Sequence, residues 1–150
     1  MPDHWGVSDS PLADLLAAAA AQISRLEPHA ALEAVRAGAL LVDIRSSDAR
    51  RRDGVVPGAL HLPRTVLEWR VAHDSEFRNE HVGGRERRLI VLCDHGYSSQ
   101  LAAATLVELG YRDAADVLGG FAAWRDADLP LRKAPPDPPC LAGMGPPDPA

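Results

Sequence analysis

Two short apolar runs constrain the fold of this chain more than any other feature. Ala39-Leu40-Leu41-Val42 and Leu89-Ile90-Val91-Leu92 contain no alternating polar residues. Runs of this length without alternation suit strands buried on both faces, as in a parallel sheet covered by helices. The segments around them read as helices. Pro28 to Arg36 has Leu32 and Val35 at i, i+3 spacing, and Gly38 follows as a stop. Ser98 to Leu109 sets Leu101, Thr105, Leu106 and Leu109 on one face, with Ser98 or Ser99 as a cap and Gly110 as the stop. Arg45 to Asp53 and Phe121 to Asp126 read as shorter helices, the second burying Trp124. Ala59 to Leu62 and Ala115 to Leu118 read as further short strands. Thr65 to Gly84 reads as a helical turn and a surface loop. Strands alternating with helices give an α/β fold with a largely parallel sheet.

The chain has 150 residues, 46% of them apolar, enough for one domain with a core of its own. Residues 1 to 24 read as an N-terminal extension: residues 1 to 11 are expected to fray, and Leu12 to Ile23 to form an Ala-rich helix. Residues 25 to 133 form the domain. From Ala134 to Ala150 there are seven Pro and two Gly, which predicts a disordered tail. The net charge of −5 and the few aromatics argue against nucleic-acid binding. The longest apolar stretch, Leu15 to Ala21, is too short to cross a bilayer. Met1 to Asp14 has three Asp and no Lys or Arg, the wrong flank for a signal peptide. The expected location is the cytoplasm, where a free thiol survives.

Cys93 and Cys140 are the two cysteines, and no CxxC pair suggests a metal site. Cys93 follows a buried strand, and a helix begins about five residues later. Ligand sites of open α/β sheets lie beyond the carboxyl ends of the strands, so Cys93 stands where a site is expected. The loop Asp94-His95-Gly96-Tyr97-Ser98 curls toward a helix N-terminus. Its N–H groups and the helix dipole favour a thiolate. Gly96 allows the curl, and Ser98 and Ser99 supply hydroxyl donors. A thiolate in such a cradle can hold sulfur as a persulfide or attack a phosphate or arsenate. The second chemistry wants a loop Arg to grip the oxyanion. None is present, which favours sulfur.

The chain resembles the rhodanese family, and specifically its small single-domain members. The resemblance runs from about Leu32 to Leu131. It rests on Leu41-Val42-Asp43-Ile44-Arg45, Gly54-Val55-Val56-Pro57-Gly58-Ala59, Val91-Leu92-Cys93-Asp94-His95-Gly96-Tyr97-Ser98-Ser99, Val117-Leu118-Gly119-Gly120-Phe121-Ala122-Ala123-Trp124, and Leu129-Pro130. It implies a rhodanese-like fold with a central, mostly parallel five-stranded sheet and helices on both faces. It also implies transfer of sulfane sulfur from a donor such as thiosulfate to a thiophilic acceptor, with Cys93 as nucleophile and residues 94 to 99 as the persulfide-binding loop. In the family, a basic residue from the region of Arg50-Arg51-Arg52 reaches the substrate's anionic group, and Arg50 is the candidate. Asp43 and Arg45 read as a structural ion pair near the loop. His95 reads as a solvent-facing loop residue rather than a base. Cys140 reads as a bystander, or else as a thiol that receives the persulfide. The chain departs from the family in Val55, where His is frequent, in a longer segment between Asp43 and Gly54, and in Asp94, whose charge repels a dianionic donor.

The expected partners are small sulfur donors and acceptors or persulfide-bearing proteins, with no nucleic acid, membrane, metal or organic cofactor. The chain is expected to be a monomer or homodimer. The other classes open to it are a binding module that lacks turnover, and a Cys-dependent phosphatase or arsenate reductase.

Overall fold

The computed structural model describes residues 9–150, and most of the segment expected to fray lies outside them. Helix α1 (Pro11–Ala20) opens the described chain, with Ser10 accepting at its N-terminus from the Ala13 N–H. There follow β1 (Ser24–Leu26), α2 (Pro28–Arg36), β2 (Leu40–Asp43), α3 (Ser47–Asp53), β3 (Leu60–His61) and α4 (Leu67–Val71). The last elements are β4 (Leu89–Leu92), α5 (Ser98–Glu108), β5 (Ala115–Val117) and α6 (Gly120–Asp126). A single 3-10 turn at Arg64–Val66 leads into α4, and another at Glu80–Val82 lies in the loop between α4 and β4.

The five strands form one sheet in the order β1-β5-β4-β2-β3, and every pairing is parallel. Helices α1, α4 and α5 associate on one side; α2 and α6 associate on the other. Each face has its own core. One is built from Val42, Ile44, Val91, Leu106 and Tyr111, the other from Leu41, Ile90, Leu92, Phe121 and Trp124. The two faces alternate along β4, and all four of its residues are buried. Each such side chain contributes about 1.5–3 kcal/mol of burial. Strand β1 is absent from the sequence reading. Its three residues Ser-Arg-Leu are partly exposed and carry no apolar run.

The tail departs from what its composition predicts. Residues 134–150 are not a disordered appendage but a strap laid against the domain. The Asp148 carboxylate grips Arg50 through two hydrogen bonds of 2.7 and 2.9 Å, and its backbone bonds Ala59 O and Gly58 N–H. Asn79 Nδ2 donates to the carbonyls of Gly143 and Gly145, and Arg70 Nε to that of Ala142. Proline-rich composition disfavours regular structure, but it leaves carbonyls free for donors from elsewhere. Here Asn79 and Arg70 are those donors.

Candidate active site

After β2 the chain crosses to β3 on one side; after β4 it crosses to β5 on the other. The carboxyl ends of β2 and β4 therefore flank a topological switch point, where α/β sheets open a crevice. Cys93 stands at that point, directly after β4, with 6% of its surface exposed. Its Sγ accepts a hydrogen bond from the Gly96 N–H at 3.1 Å.

The loop is shaped by the start of α6. The N–H groups of Phe121 and Ala122 donate to the carbonyls of Cys93 and Asp94 at 2.8 and 3.0 Å. Those carbonyls are thereby engaged by the first turn of α6. Glycine is required where the two segments touch. Gly96 has φ +83°, and a Cβ there would lie 2.8 Å from the Gly119 nitrogen; one on Gly120 would collide with the Cys93 carbonyl. The Gly119-Gly120 turn thus serves the loop as well as the chain reversal.

The remaining loop residues divide by exposure. Asp94, His95, Tyr97 and Ser98 face solvent, with the His95 and Tyr97 rings 6.5 Å apart. Ser99 is fully buried, and its hydroxyl donates to Asp116 at 2.7 Å. It is therefore turned to a carboxylate on β5 and gives no hydrogen bond to the sulfur. Neither serine caps α5: Tyr97 holds the N-cap position without a side-chain bond.

Asp43 and Arg45 form a buried pair. The carboxylate receives the Arg45 N–H and Nε at 3.0 Å and Nη2 at 2.9 Å. The Arg45 guanidinium stacks 3.9 Å over the Phe121 ring, linking this pair to α6. Burial alone raises the Asp43 carboxyl's pKa. The hydrogen bonds and charge of Arg45, with the charge of Arg50, outweigh it and hold the carboxyl below its ordinary value.

Arg50 is not placed to meet a substrate. Its guanidinium is buried between Asp43 (2.9 Å) and Asp148, which take its donors. Of the same charge run, Arg52 is the exposed member with a link to the loop. Its pKa is raised, chiefly by the hydrogen bonds to Asp53 and in smaller part by the charge of Asp94. Spacing alone did not reveal that Arg50 is taken by Asp43 and Asp148.

Cys140 is exposed in the strap and borders a cavity of about 320 Å³ beside Arg50 and His61. Cys93 does not line that cavity. Arg70 holds the strap through the Ala142 carbonyl, while its neighbour Trp69 is exposed.

The loop geometry and parallel sheet agree with a match to the rhodanese-like domain family over residues 27–127. The chain belongs to the rhodanese-like family. Among similar members, a Haemophilus influenzae protein named thiosulfate sulfurtransferase GlpE is 35% identical over 106 residues, covering 71% of this chain and 91% of that protein. A Pseudomonas putida protein of the same name is 38% identical over 106 residues, covering 69% and 86%. A solved Rhodopseudomonas palustris protein, described as of unknown function and a possible tyrosine phosphatase, has TM-score 0.75 at 29% identity, covering 88% of this chain and 99% of that one. The Wolinella succinogenes polysulfide-sulfur transferase homodimer has TM-score 0.65 at 26% identity, covering 79% and 85%. This rhodanese-like chain extends past the family match on both sides, by α1 with β1 and by the strap.

Proposed function

We propose that this protein is a rhodanese-type sulfurtransferase that carries sulfane sulfur as a persulfide on Cys93. The observation that carries the reading is the thiol at the switch point, receiving the Gly96 N–H within a loop whose first two carbonyls are turned toward α6. Similarity to the thiosulfate sulfurtransferases supports the reaction class.

In the loading step the Cys93 thiolate attacks the outer sulfur of the donor. The new Sγ–S bond forms as the donor's S–S bond breaks, and the leaving group departs with the electron pair, as sulfite from thiosulfate. In the second step an acceptor nucleophile attacks the outer sulfur, and Cys93 leaves as thiolate. Cyanide would depart as thiocyanate and a thiol as its persulfide. Loop N–H groups stabilise negative sulfur in both steps. No general base is needed once the thiolate exists, in keeping with an exposed His95.

The rim gives some direction on the donor. Asp94 is exposed and repels a dianion, while Arg52 offsets that charge in part. We assign the physiological donor to the persulfides of small thiols or proteins, with thiosulfate serving as a donor in vitro. The cytoplasm suits such donors, and no helix among the described residues is long and apolar enough to span a membrane.

The test is intact mass after incubation with thiosulfate or a polysulfide, followed by cyanide. The expected result is a gain of one sulfur atom that cyanide removes as thiocyanate, lost in Cys93→Ser and retained in Cys140→Ser. A protein that gains no sulfur from any donor and turns over an aryl phosphate would overturn it. The loop speaks against that outcome, since Asp94 to Ser99 contains no arginine.

A further inference from the structure

We propose that Arg25 and Asp116 are positioning residues for the sulfur-carrying loop, acting through the backbone of Gly96. The inference rests on Cys93 being the nucleophile and adds what sets its cradle.

Gly96 is the pivot. Its N–H points to Cys93 Sγ at 3.1 Å, while its carbonyl accepts from Arg25 Nη2 at 2.9 Å and from Gln100 Nε2 at 3.0 Å. The Gly96 N–H and carbonyl lie in adjacent peptide planes joined at its Cα. A glycine with positive φ restrains rotation there least, so anchoring the carbonyl removes freedom that would let the N–H swing away from the sulfur. Arg25 can hold it because its own guanidinium is fixed. Nε and Nη2 bond the two Asp116 oxygens at 2.9 and 3.0 Å. The Asp116 side chain is fully buried, and Ser99 gives it a third donor at 2.7 Å.

One carboxylate therefore ties the β1 arginine to β5 and to the first turn of α5, and that arginine reaches across to the loop. Arg25 and Asp116 are paired neighbours in the sheet, and β5 lies beside the strand that leads into Cys93. A purely structural role would not require the third reach of Arg25 into the loop. Buried ion pairs stabilise little more than apolar residues of similar size. A planar guanidinium is needed because only a fork can hold a carboxylate edge and a carbonyl at once.

The experiment uses the full chain with Cys140→Ser, so that Cys93 is the single thiol. Arg25→Lys keeps the charge beside Asp116 but loses the fork. Arg25→Met with Asp116→Leu replaces the pair by apolar residues, so no carboxylate is left buried and alone. Three quantities are read: the rate of sulfur loading, the rate of Cys93 alkylation by iodoacetamide, and the NMR shift of the Gly96 amide on alkylation. Both variants are expected to melt cooperatively and to load sulfur roughly tenfold more slowly at saturating donor, with KM little changed. Alkylation should slow in parallel, and the Gly96 amide should no longer respond to Cys93. In Arg25→Ala, free guanidinium is expected to restore part of the loading rate.

Folded variants that load and alkylate at the parent rate would overturn the proposal while leaving the sulfurtransferase intact. A parent protein that accepts no sulfur would sink the reaction. The alkylation rate and the amide shift would then still judge whether Arg25 and Asp116 set the cradle.

Discussion

Two buried aspartates stand on either side of the strand that carries the thiol, and their different partners divide the labour of the site. Asp43 ends β2 and Asp116 lies in β5; both are fully buried. Asp43 aligns with Leu92, Asp116 with Val91, and those two β4 residues belong to opposite cores. Asp43 therefore faces the α2–α6 side and Asp116 the α5 side. Asp43 collects Arg45 and Arg50, and through Arg50 it meets the strap at Asp148. Asp116 collects Arg25 and Ser99, and through Arg25 it meets the loop at Gly96. The first network holds the protein's outer layer. The second bears on the chemistry. Similar charges on similar strands do different work because their arginines reach different backbone.

The sharpest way to break the comparison is Asp43→Ala. It leaves the Arg45 guanidinium buried without its carboxylate, with one nitrogen already lacking a partner. A loss of about 3–5 kcal/mol is expected by denaturant unfolding. The same carboxyl sets an acid limit. Its folded pKa lies below 3.8, so its contribution is complete above that pH and is lost as pH falls through the folded value.

Asp148→Ala is expected to cost less, about 1–3 kcal/mol, because Arg50 keeps Asp43. Hydrogen exchange at the Gly58 amide, which bonds the Asp148 carbonyl, should rise as the strap loosens. Sulfur loading at saturating donor should stay near the parent rate; a large fall would tie the strap to the site.

On the other side, Ser99→Ala removes one of the three donors to Asp116 and should cost about 1 kcal/mol, with a modest slowing of loading. A rate loss as large as that of Arg25→Lys would move the positioning role from the arginine to the serine.

The smallest effect expected is at His61. Its Nε2 lies 2.7 Å from the Arg45 carbonyl, an acceptor only, so this nitrogen carries the proton. Burial first, and then the charge of Arg50, lower its pKa below 6.5, against the pull of that hydrogen bond. The unfolded chain thus binds the proton more readily. Stability is full above pH 6.5 and declines as pH falls toward the folded value. Melting temperatures across that range should show the slope, and His61→Gln should flatten it.

Much of this was legible in the sequence because it is local. The unbroken apolar runs announce strands buried on both faces, Pro28 to Arg36 announces α2, and Cys93 after such a run announces a site. Asp43 and Arg45 are two positions apart, and their pairing could be read from that spacing. Tertiary structure decided what depends on distance along the chain. Arg25 meets Asp116 across 91 positions, and Arg50 meets Asp148 across 98. No periodicity records such contacts. They determine that the strap is ordered, that Arg50 is sequestered while Arg52 stays exposed, and that a three-residue edge strand steadies the loop. The sequence by itself determined where the candidate thiol stands and the kind of sheet beneath it. Only the fold decided which charges reach its loop, because a buried charge takes the nearest partner in space rather than in sequence.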